Sequence, residues 1–233
     1  MEKQRVAEEI VGQLRSLILT GRYAAGEKLP PERQLAKDLG VNRASLREAL
    51  KKLEHMGLVK IRQGDGTRVQ DFMASAGIDL LSHLIPVVQS GAQLELVRDV
   101  MEFRRMYARE VARLAAERAT DEDLERLHGI ADACDAPELG PAELLRLDFD
   151  FYVALTQASR NRVLMMLINT TRPAVLAYSA FFGALMQDGG VVRRHHRALI
   201  RAVRARDRDE AARVADAYMG QTADALALPP RAT

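Results

Sequence analysis

The sequence of 233 residues contains no tryptophan, a single cysteine, and only 15 glycines and 8 prolines. Scarce glycine and proline, together with abundant Ala, Leu, Arg and Glu, exclude collagen-like sequence, argue against an all-β sandwich and favour helices. One cysteine, Cys134, excludes an intramolecular disulfide and a cysteine-based metal cage, which is typical of a reducing compartment. Because no run of about 18 apolar residues occurs and the first ten residues are highly charged, we expect no membrane span and a cytoplasmic location.

The charges are distributed unevenly along the chain. Up to Gln70 there are 14 Lys and Arg against 9 Asp and Glu, whereas the remaining residues carry 20 against 23, and all six lysines lie in the first sixty residues. Clustered positive charge attracts polyanions through counterion release. The asymmetry indicates an anion-binding N-terminal module, and a chance fluctuation of surface charge is the alternative.

Apolar residues at helical spacing predict three helices in the first 55 residues. The first covers residues 5–20 and ends at Gly21, the second begins at Pro31 and ends at Gly40, and the third is capped by Asn42. The third helix places Arg43, Arg47 and Lys51 in a row at four-residue spacing, away from its apolar face. This basic row is free to face a partner.

A β-hairpin is predicted directly after these helices. Two short alternating segments, residues 58–62 and 67–70, flank the turn signal Gly64-Asp65-Gly66. Two short helices with a basic second member, followed by a basic hairpin, are typical of a winged helix-turn-helix that binds double-stranded DNA. The alternative is a small structural domain with a solvated charged face.

Three stretches carry a specific resemblance. LPPERQLA at 29–36, GVNRASLREAL at 40–50 and GDGTRV at 64–69 closely resemble the N-terminal domain of GntR-family transcription regulators. The resemblance implies that Arg33 and Arg43 contact phosphate or guanine, that Arg47 reads the major groove, and that Gly64 approaches the minor groove. The full DNA-contact set that it implies is Arg33, Arg43, Ser45, Arg47, Gly64 and Arg68. Ala44 stands where the family often has Thr or Ser, so operator preference is expected to differ.

The remainder of the chain predicts a series of amphipathic helices with short connections. They cover approximately residues 71–90, 94–118, 121–134, 141–158, 161–186, 189–206 and 208–226. No P-loop, nucleophile elbow, zinc-protease or dinucleotide motif is present. A bundle of six or seven helices resembles the FCD effector domain of the FadR subfamily of GntR regulators. We therefore expect a mostly α protein with a DNA-binding domain at 1–70, a linker and first effector-domain helix at 71–90, an effector-binding and dimerisation domain at 91–226 and a flexible tail at 227–233.

Four polar residues of the bundle are flanked by apolar residues at offsets of three and four, and so face inward: Arg104, Asp148, His196 and Tyr218. The family places a divalent metal on one Asp and three His. Asp148 and His196 match that set, whereas Tyr152 and Tyr218 occupy the other two positions. Because neutral phenols are poor ligands for such metals, we expect no cofactor and no tight metal site unless tyrosinate or a neighbouring residue substitutes.

Without a metal, these residues form an anion site in an apolar cavity. The predicted effector-binding set is Arg104, Asp148, Tyr152, Tyr178, His196 and Tyr218. A small organic acid fits it, as does a fatty acid or fatty acyl-CoA whose tail runs along Met101, Met106, Met165, Met166 and Leu167. The aromatic residues Tyr178, Phe181 and Phe182 are among further similarities to the acyl-CoA-responsive FadR branch. The alternative is an internal Arg104–Asp148 salt bridge with tyrosines that only pack.

The expected function is a homodimeric repressor that reads a palindromic operator and responds to a metabolite bound in the bundle. No membrane partner is expected. One alternative is a constitutive DNA-binding dimer with a purely structural bundle, and another is a degenerate metal-dependent enzyme. Two features are given structural interpretations: the arginines of Arg193-Arg194-His195-His196-Arg197 are solvated, and Cys134 lacks a basic neighbour that would make it a nucleophile.

Overall fold

The computed structural model of the chain describes residues 2–84, 91–136, 139–177 and 189–224. Contacts divide it into two compact units, residues 1–87 and 88–233. The chain is mostly helical, with a helix-turn-helix and a two-stranded hairpin in the first unit and a helical bundle in the second, as predicted. Within the described part, no helix combines the length and the apolar character needed to cross a bilayer.

Three helices and a hairpin begin the first unit: α1 (Glu2–Leu19), α2 (Glu32–Asp38), α3 (Arg43–His55), β1 (Val59–Arg62) and β2 (Gly66–Val69). The predicted cap is confirmed, since the Asn42 side chain accepts a hydrogen bond of 2.8 Å from the Ser45 backbone N–H. The predicted start of α2 is wrong by one residue. Pro31 has extended backbone geometry and precedes the helix as its N-cap residue.

The hairpin pairs β1 and β2 antiparallel, with Val59 opposite Val69 and Lys60 opposite Arg68. A single bridge joins Lys28, in the segment before α2, to Arg68. Buried side chains of α1, α2, α3 and both strands form one core, which includes the fully enclosed Leu14, Leu46 and Leu53. This core fixes the hairpin beside α3.

The single helix predicted over residues 71–90 is wrong for the part that the structure describes. That part forms α4 (Phe72–Ser75), a 3-10 turn (Ile78–Leu80) and α5 (Leu81–Leu84), and residues 85–90 lie outside the described ranges. Leu80 is buried in the core of the first unit, and Phe72 packs against it. The chain therefore breaks its helix to follow the surface of this unit.

The second unit contains α6 (Gly91–Arg118), α7 (Asp121–Ala133), α8 (Pro141–Ala158), α9 (Arg162–Ala177), α10 (Gly189–Arg204) and α11 (Arg208–Asp224). These bounds agree with the predicted helices within a few residues. Residues 178–186 of the predicted helix 161–186 lie outside the described ranges, as does the predicted tail at 227–233.

Local sequence signals explain where several of these helices begin. Thr120 and Asp123 form a reciprocal capping box at the start of α7, and Pro141 occupies the first turn of α8. Helix α6 packs along α11, and α8 packs against α6, α7, α9 and α10. Helix α8 is consequently enclosed on several sides, which places its inward polar residues in the interior.

Candidate functional site

The first candidate surface is the outer face of α3. The side chains of Arg43 and Arg47 are 59% and 61% exposed, and Lys51 is also exposed. Together with Ala44 and Glu48, these three residues line an open groove on the surface. The basic row predicted from four-residue spacing is thus on the surface of the unit and not packed into its core.

One carboxylate links this row to α2. Oε2 of Glu32 accepts a hydrogen bond of 2.7 Å from Nε of Arg47 and lies 3.8 Å from Nη2 of Arg43. Arg33, the next residue on α2, is exposed and forms no ion pair among the described residues. The predicted DNA-contact arginines therefore differ: Arg43 and Arg47 are held by Glu32, and Arg33 is not.

Ser45 differs from the other predicted DNA-contact residues because its side chain faces inward. It is 0% exposed, and its Oγ has no hydrogen-bond partner among the described residues. Its backbone N–H serves the cap of α3. A DNA contact by this side chain stays a prediction that the geometry does not favour, because a buried hydroxyl cannot reach a groove without rearrangement.

The hairpin carries the remaining two predicted residues, Gly64 at its turn and Arg68 within β2. Gly64 is exposed at the turn. Nε of Arg68 donates to Oδ2 of Asp65 at 3.0 Å, and Nζ of Lys28 lies 3.2 Å from Oδ1 of the same carboxylate. Hydrogen bonds from these two cations lower the pKa of Asp65. Arg68 is consequently tied to the wing itself.

The second candidate site is a buried polar cluster in the helical unit, formed by Asp148, Tyr152, His195, His196 and Tyr218. Asp148 and Tyr152 lie on α8, the two histidines lie on α10, and Tyr218 lies on α11. Each of the five side chains is at most 5% exposed. The sequence pattern identified Asp148, His196 and Tyr218 as inward-facing, and the family resemblance added Tyr152.

Asp148 and His196 form the centre of this cluster. Oδ1 of Asp148 lies 2.9 Å from Nε2 of His196, whose ring stacks on Phe151 with centroids 3.8 Å apart. Burial raises the pKa of Asp148, but the hydrogen bond and charge of His196 oppose this effect, so the net shift is downward. Asp148 is therefore a buried carboxylate that is stabilised in its ionised form.

His195, which sequence reasoning treated only as part of a solvated run, is the fifth member. Its Nε2 lies 2.9 Å from the hydroxyl of Tyr152, and its ring stacks on Tyr218 with centroids 3.9 Å apart. Burial lowers the pKa of His195 to about 3, and its Nδ1 has no hydrogen-bond partner in the described part of the chain. The available signal was the apolar Val192 and Leu199, three residues before and four after it.

The two tyrosines of the cluster remain phenols. Burial is the main cause that raises the pKa of Tyr152 and of Tyr218 well above the ordinary value, and the nearby charge of Asp148 adds to it. A hydrogen bond between Tyr218 and Asp148 raises the pKa of Tyr218 further. Both hydroxyls therefore keep their protons at neutral pH.

Arg104, predicted to face the cluster from α6, is half-buried, and one of its terminal nitrogens lies 3.3 Å from Sδ of Met101. Its charge helps to lower the pKa of Asp148 and opposes the rise at both tyrosines. The alternative of an Arg104–Asp148 salt bridge is not what the structure has, since Asp148 pairs with His196. Arg104 thus supplies positive charge to the cluster without being neutralised by it.

Cys134 borders the same cluster at the end of α7. Its Sγ lies 3.8 Å from Nδ1 of His196, and its backbone oxygen accepts from Arg193, so a basic neighbour is present after all. Burial nevertheless raises the pKa of Cys134 to about 11. A protonated, fully buried thiol is a poor nucleophile, which agrees with the interpretation of Cys134 as structural.

Comparison with known proteins identifies both units. Residues 6–69 match the family model "Bacterial regulatory proteins, gntR family", and residues 99–221 match the FCD domain. The chain belongs to the GntR family of regulators with an FCD domain. It is a DNA-binding transcriptional regulator, and its named relatives are transcriptional regulators.

Relatives of this GntR regulator cover much of its length. The regulator Mce2R of Mycobacterium tuberculosis is 39% identical over 74% of this chain and 71% of its own. The repressor NanR of Cronobacter sakazakii is 30% identical over 94% of this chain and 84% of its own. Among solved structures, Lar, which controls expression of the Listeria monocytogenes agr system, has a TM-score of 0.60 at 16% identity and covers 96% of this chain and 97% of its own. The likeness to Lar shows the shared fold.

The divalent metal that the FCD family implies does not fit the residues of this regulator. Two of the four positions carry protonated phenols, Tyr152 and Tyr218, which are poor ligands. The two matching residues, Asp148 and His196, hydrogen-bond each other directly. Among the described residues, no three His, Cys, Asp or Glu side chains converge as a metal site.

Two parts of the predicted effector site need separate mention. Tyr178 lies outside the described residues. Met106 and Met166, predicted to line an acyl channel, are 61% and 67% exposed. That part of the prediction is wrong, because α6 and α9 direct these side chains to the surface of the unit.

Proposed function

We propose that this regulator is a homodimeric repressor that binds a palindromic operator through α3 and the wing, and that a small carboxylate bound at the buried polar cluster controls its DNA affinity. The row of exposed cations on α3 carries the DNA-binding part. Arginine forms bidentate hydrogen bonds with guanine or phosphate, and a two-fold dimer presents two such helices to two half-sites. The name of the NanR relative, a repressor, supports the sign of regulation.

The buried polar cluster supports the proposal of a carboxylate ligand. Among the described residues, Nδ1 of His195 is a buried nitrogen of this cluster without a partner, and the cluster lies in the field of the half-buried Arg104. The hydroxyl of Tyr152 and Nε2 of His195 share a hydrogen bond of 2.9 Å in which either group is able to donate. We propose the tautomer in which Tyr152 donates, which places the hydrogen of neutral His195 at Nδ1, where it can donate to a carboxylate oxygen. A buried donor without an acceptor is costly, so a ligand that accepts from it stabilises the site.

A compact acid fits these features better than an acyl chain. The two exposed methionines remove part of the apolar channel that a long tail needs. Arg104 supplies one positive charge, which matches a single carboxylate. A fatty acid or acyl-CoA is the competing ligand in the experiments below. Residues 71–90 are proposed to connect the two functions, with the functional boundaries at 70 and 90 as predicted from the sequence.

Arg47→Ala tests the DNA-binding part. We expect this change to weaken binding to a duplex selected by the parent chain from a random pool by about 10-fold or more, because one bidentate contact with a base is lost. The measurement is titration of labelled duplex followed by fluorescence anisotropy. Preference for the selected base at the position read by Arg47 should relax at the same time.

The matched control is Lys37→Ala, which removes an exposed cation from the last turn of α2 and leaves α3 intact. It should reduce affinity for selected and random duplexes alike, since only a general charge is lost. If Arg47→Ala binds the selected duplex as well as the control does, α3 does not read the operator.

A further inference from the structure

We propose that Glu32 is a positioning residue that determines how specifically α3 reads DNA, because it holds the guanidinium of Arg47 in one orientation. This inference rests on the proposed function of Arg47. A single oxygen of Glu32 accepts the hydrogen bond from Nε of Arg47 at 2.7 Å and lies 3.8 Å from Nη2 of Arg43. The first residue of α2 thereby bridges the first two turns of α3.

The support for Glu32 is rigid on both sides. Leu35 and Ala36, on the same short helix, are buried in the core, and so are Leu46 and Leu50 of α3. The side chain of Glu32 is only 30% exposed, whereas those of its two partners are about 60% exposed. The carboxylate is therefore fixed by the packing of α2 on α3, and the arginines extend from it towards the outside.

The geometry suits recognition of guanine. A guanidinium has five N–H groups in a planar fork, and bidentate contact with O6 and N7 of guanine requires that plane to be oriented. Glu32 engages the Nε–H, which leaves the terminal N–H groups of Arg47 for a base. An arginine that is already oriented loses less side-chain conformational entropy when it binds. It also cannot contact a non-matching base simply by changing its rotamer.

The negative charge of Glu32 indicates that this residue serves the specificity of DNA binding and not its affinity. A carboxylate beside a DNA-facing surface repels phosphates and weakens general binding. Arg33 and Lys51 have no ion pair among the described residues, so no carboxylate restrains these two cations. A contact with phosphate does not need a fixed orientation of the side chain. Glu32 restrains the arginines of α3 although its charge weakens binding to DNA in general. This combination is expected of a residue that increases discrimination between base sequences.

The test compares Glu32→Gln with the parent chain on two duplexes, one selected from a random pool and one of random sequence. We expect the variant to bind the random duplex more tightly and to lose about tenfold in the ratio of the two affinities, the order expected when one bidentate contact is loosened. A new selection with the variant should give a relaxed base preference at the position read by Arg47. An unrelated structural defect would weaken both complexes together.

Glu8→Gln is the matched control, because Glu8 also pairs with a cation of α3, Lys52 at 2.6 Å, and the change in charge is identical. It should raise affinity for both duplexes without altering their ratio. If Glu32→Gln behaves like this control, the contact with Arg47 is an ordinary surface ion pair and the proposal is overturned.

The double variant Glu32→Gln/Arg47→Ala separates this inference from the proposed function. If Glu32 acts through Arg47, the ratio of affinities for the double variant equals that for Arg47→Ala alone. A further loss in the double variant shows that Glu32 acts by another route. If Arg47→Ala itself leaves the selected complex intact, the DNA-reading role of α3 fails, whatever the result for Glu32.

Discussion

At the scale of single residues, two carboxylates determine what the neighbouring cations and histidines can do. Glu32 is partly exposed and orients arginines on the DNA-facing side of the first unit. Asp148 is buried and is kept ionised by His196 in the second unit. In both cases the carboxylate is satisfied by its partner, but only the buried pair has a large desolvation cost to offset.

His195 gives a prediction about pH. Its pKa is about 3 in the folded protein against an ordinary 6.5, so the unfolded chain binds more protons between these values. Stability is therefore fully present above pH 6.5 and falls as the pH is lowered, by up to about 1.4 kcal/mol per pH unit from this one group. His195→Gln, which keeps a hydrogen-bonding group for Tyr152 and does not titrate, should flatten the dependence between pH 6.5 and 4.5.

The measurement is urea unfolding of the full chain followed by tyrosine fluorescence, since four of the five tyrosines belong to the second unit. His55→Gln is the control, because it removes an exposed histidine at the end of α3. If the unfolding free energy of the parent protein depends on pH as little as that of His195→Gln over this range, His195 is not a buried, neutral histidine.

At the scale of elements, the turn between α3 and β1 holds the segment that follows the wing. Gly57 has a φ of +73°, and a Cβ at this position would lie 2.6 Å from the backbone oxygen of Ser75 at the end of α4. The Ser75 hydroxyl donates to the backbone oxygen of Gly57 at 2.7 Å. Glycine is therefore required both for the left-handed turn and for the close approach of α4.

Gly57→Ala should destabilise the first unit by about 2–4 kcal/mol, since it adds a clash to the cost of the left-handed conformation. Gly21→Ala has nearly the same φ, +77°, with no atom within 4 Å of the added Cβ, so it should cost only about 1 kcal/mol. Hydrogen exchange of peptides from residues 43–69 in the full chain measures both. Equal effects of the two changes would show that α4 moves away at little cost.

At the scale of the whole molecule, the proposed function requires that ligand binding in one unit alter DNA affinity in the other. A coupling free energy of about 1–3 kcal/mol corresponds to a change of roughly 5- to 150-fold in DNA affinity. In the part of the second unit that the structure describes, the positive charge of Arg104 and Nδ1 of His195, which has no hydrogen-bond partner there, are the features proposed to bind an anion. The ligand therefore has to be found before the coupling can be measured.

A thermal-shift screen with lactate, succinate, palmitate and palmitoyl-CoA, in the presence and absence of EDTA, identifies the class of ligand. We expect a small acid to raise the unfolding midpoint equally with and without EDTA. Arg104→Ala should then abolish the effect of that acid on DNA affinity and leave binding without ligand unchanged. Stabilisation by palmitoyl-CoA alone, or only in the absence of EDTA, contradicts the metal-free small-acid site.

Arg109→Ala is the control for this experiment, because Arg109 is an exposed arginine on the same helix. It should retain the full response to the ligand. An unchanged response of Arg104→Ala to the same acid would return Arg104 to a purely structural role.

The sequence by itself determined the elements and the family. Local signals, such as the Asn42 cap and the apolar spacing of α3, act within a few residues, and they located most of the helices, the wing and three of the five members of the buried polar cluster. Motifs at 29–36, 40–50 and 64–69 then led to the GntR resemblance, which the family models confirmed.

The tertiary structure alone decided which groups pair. Residues distant in sequence and the packing of whole helices produce four features: the contact of Glu32 with Arg47, the stack of His195 on Tyr218 with its hydrogen bond to Tyr152, the break of the helix predicted at 71–90, and the exposure of Met106. Periodicity indicates which face of a helix is buried, but it does not indicate which neighbour will cover that face. Burial and pairing together, and not residue type, set the charge states on which the proposed function rests.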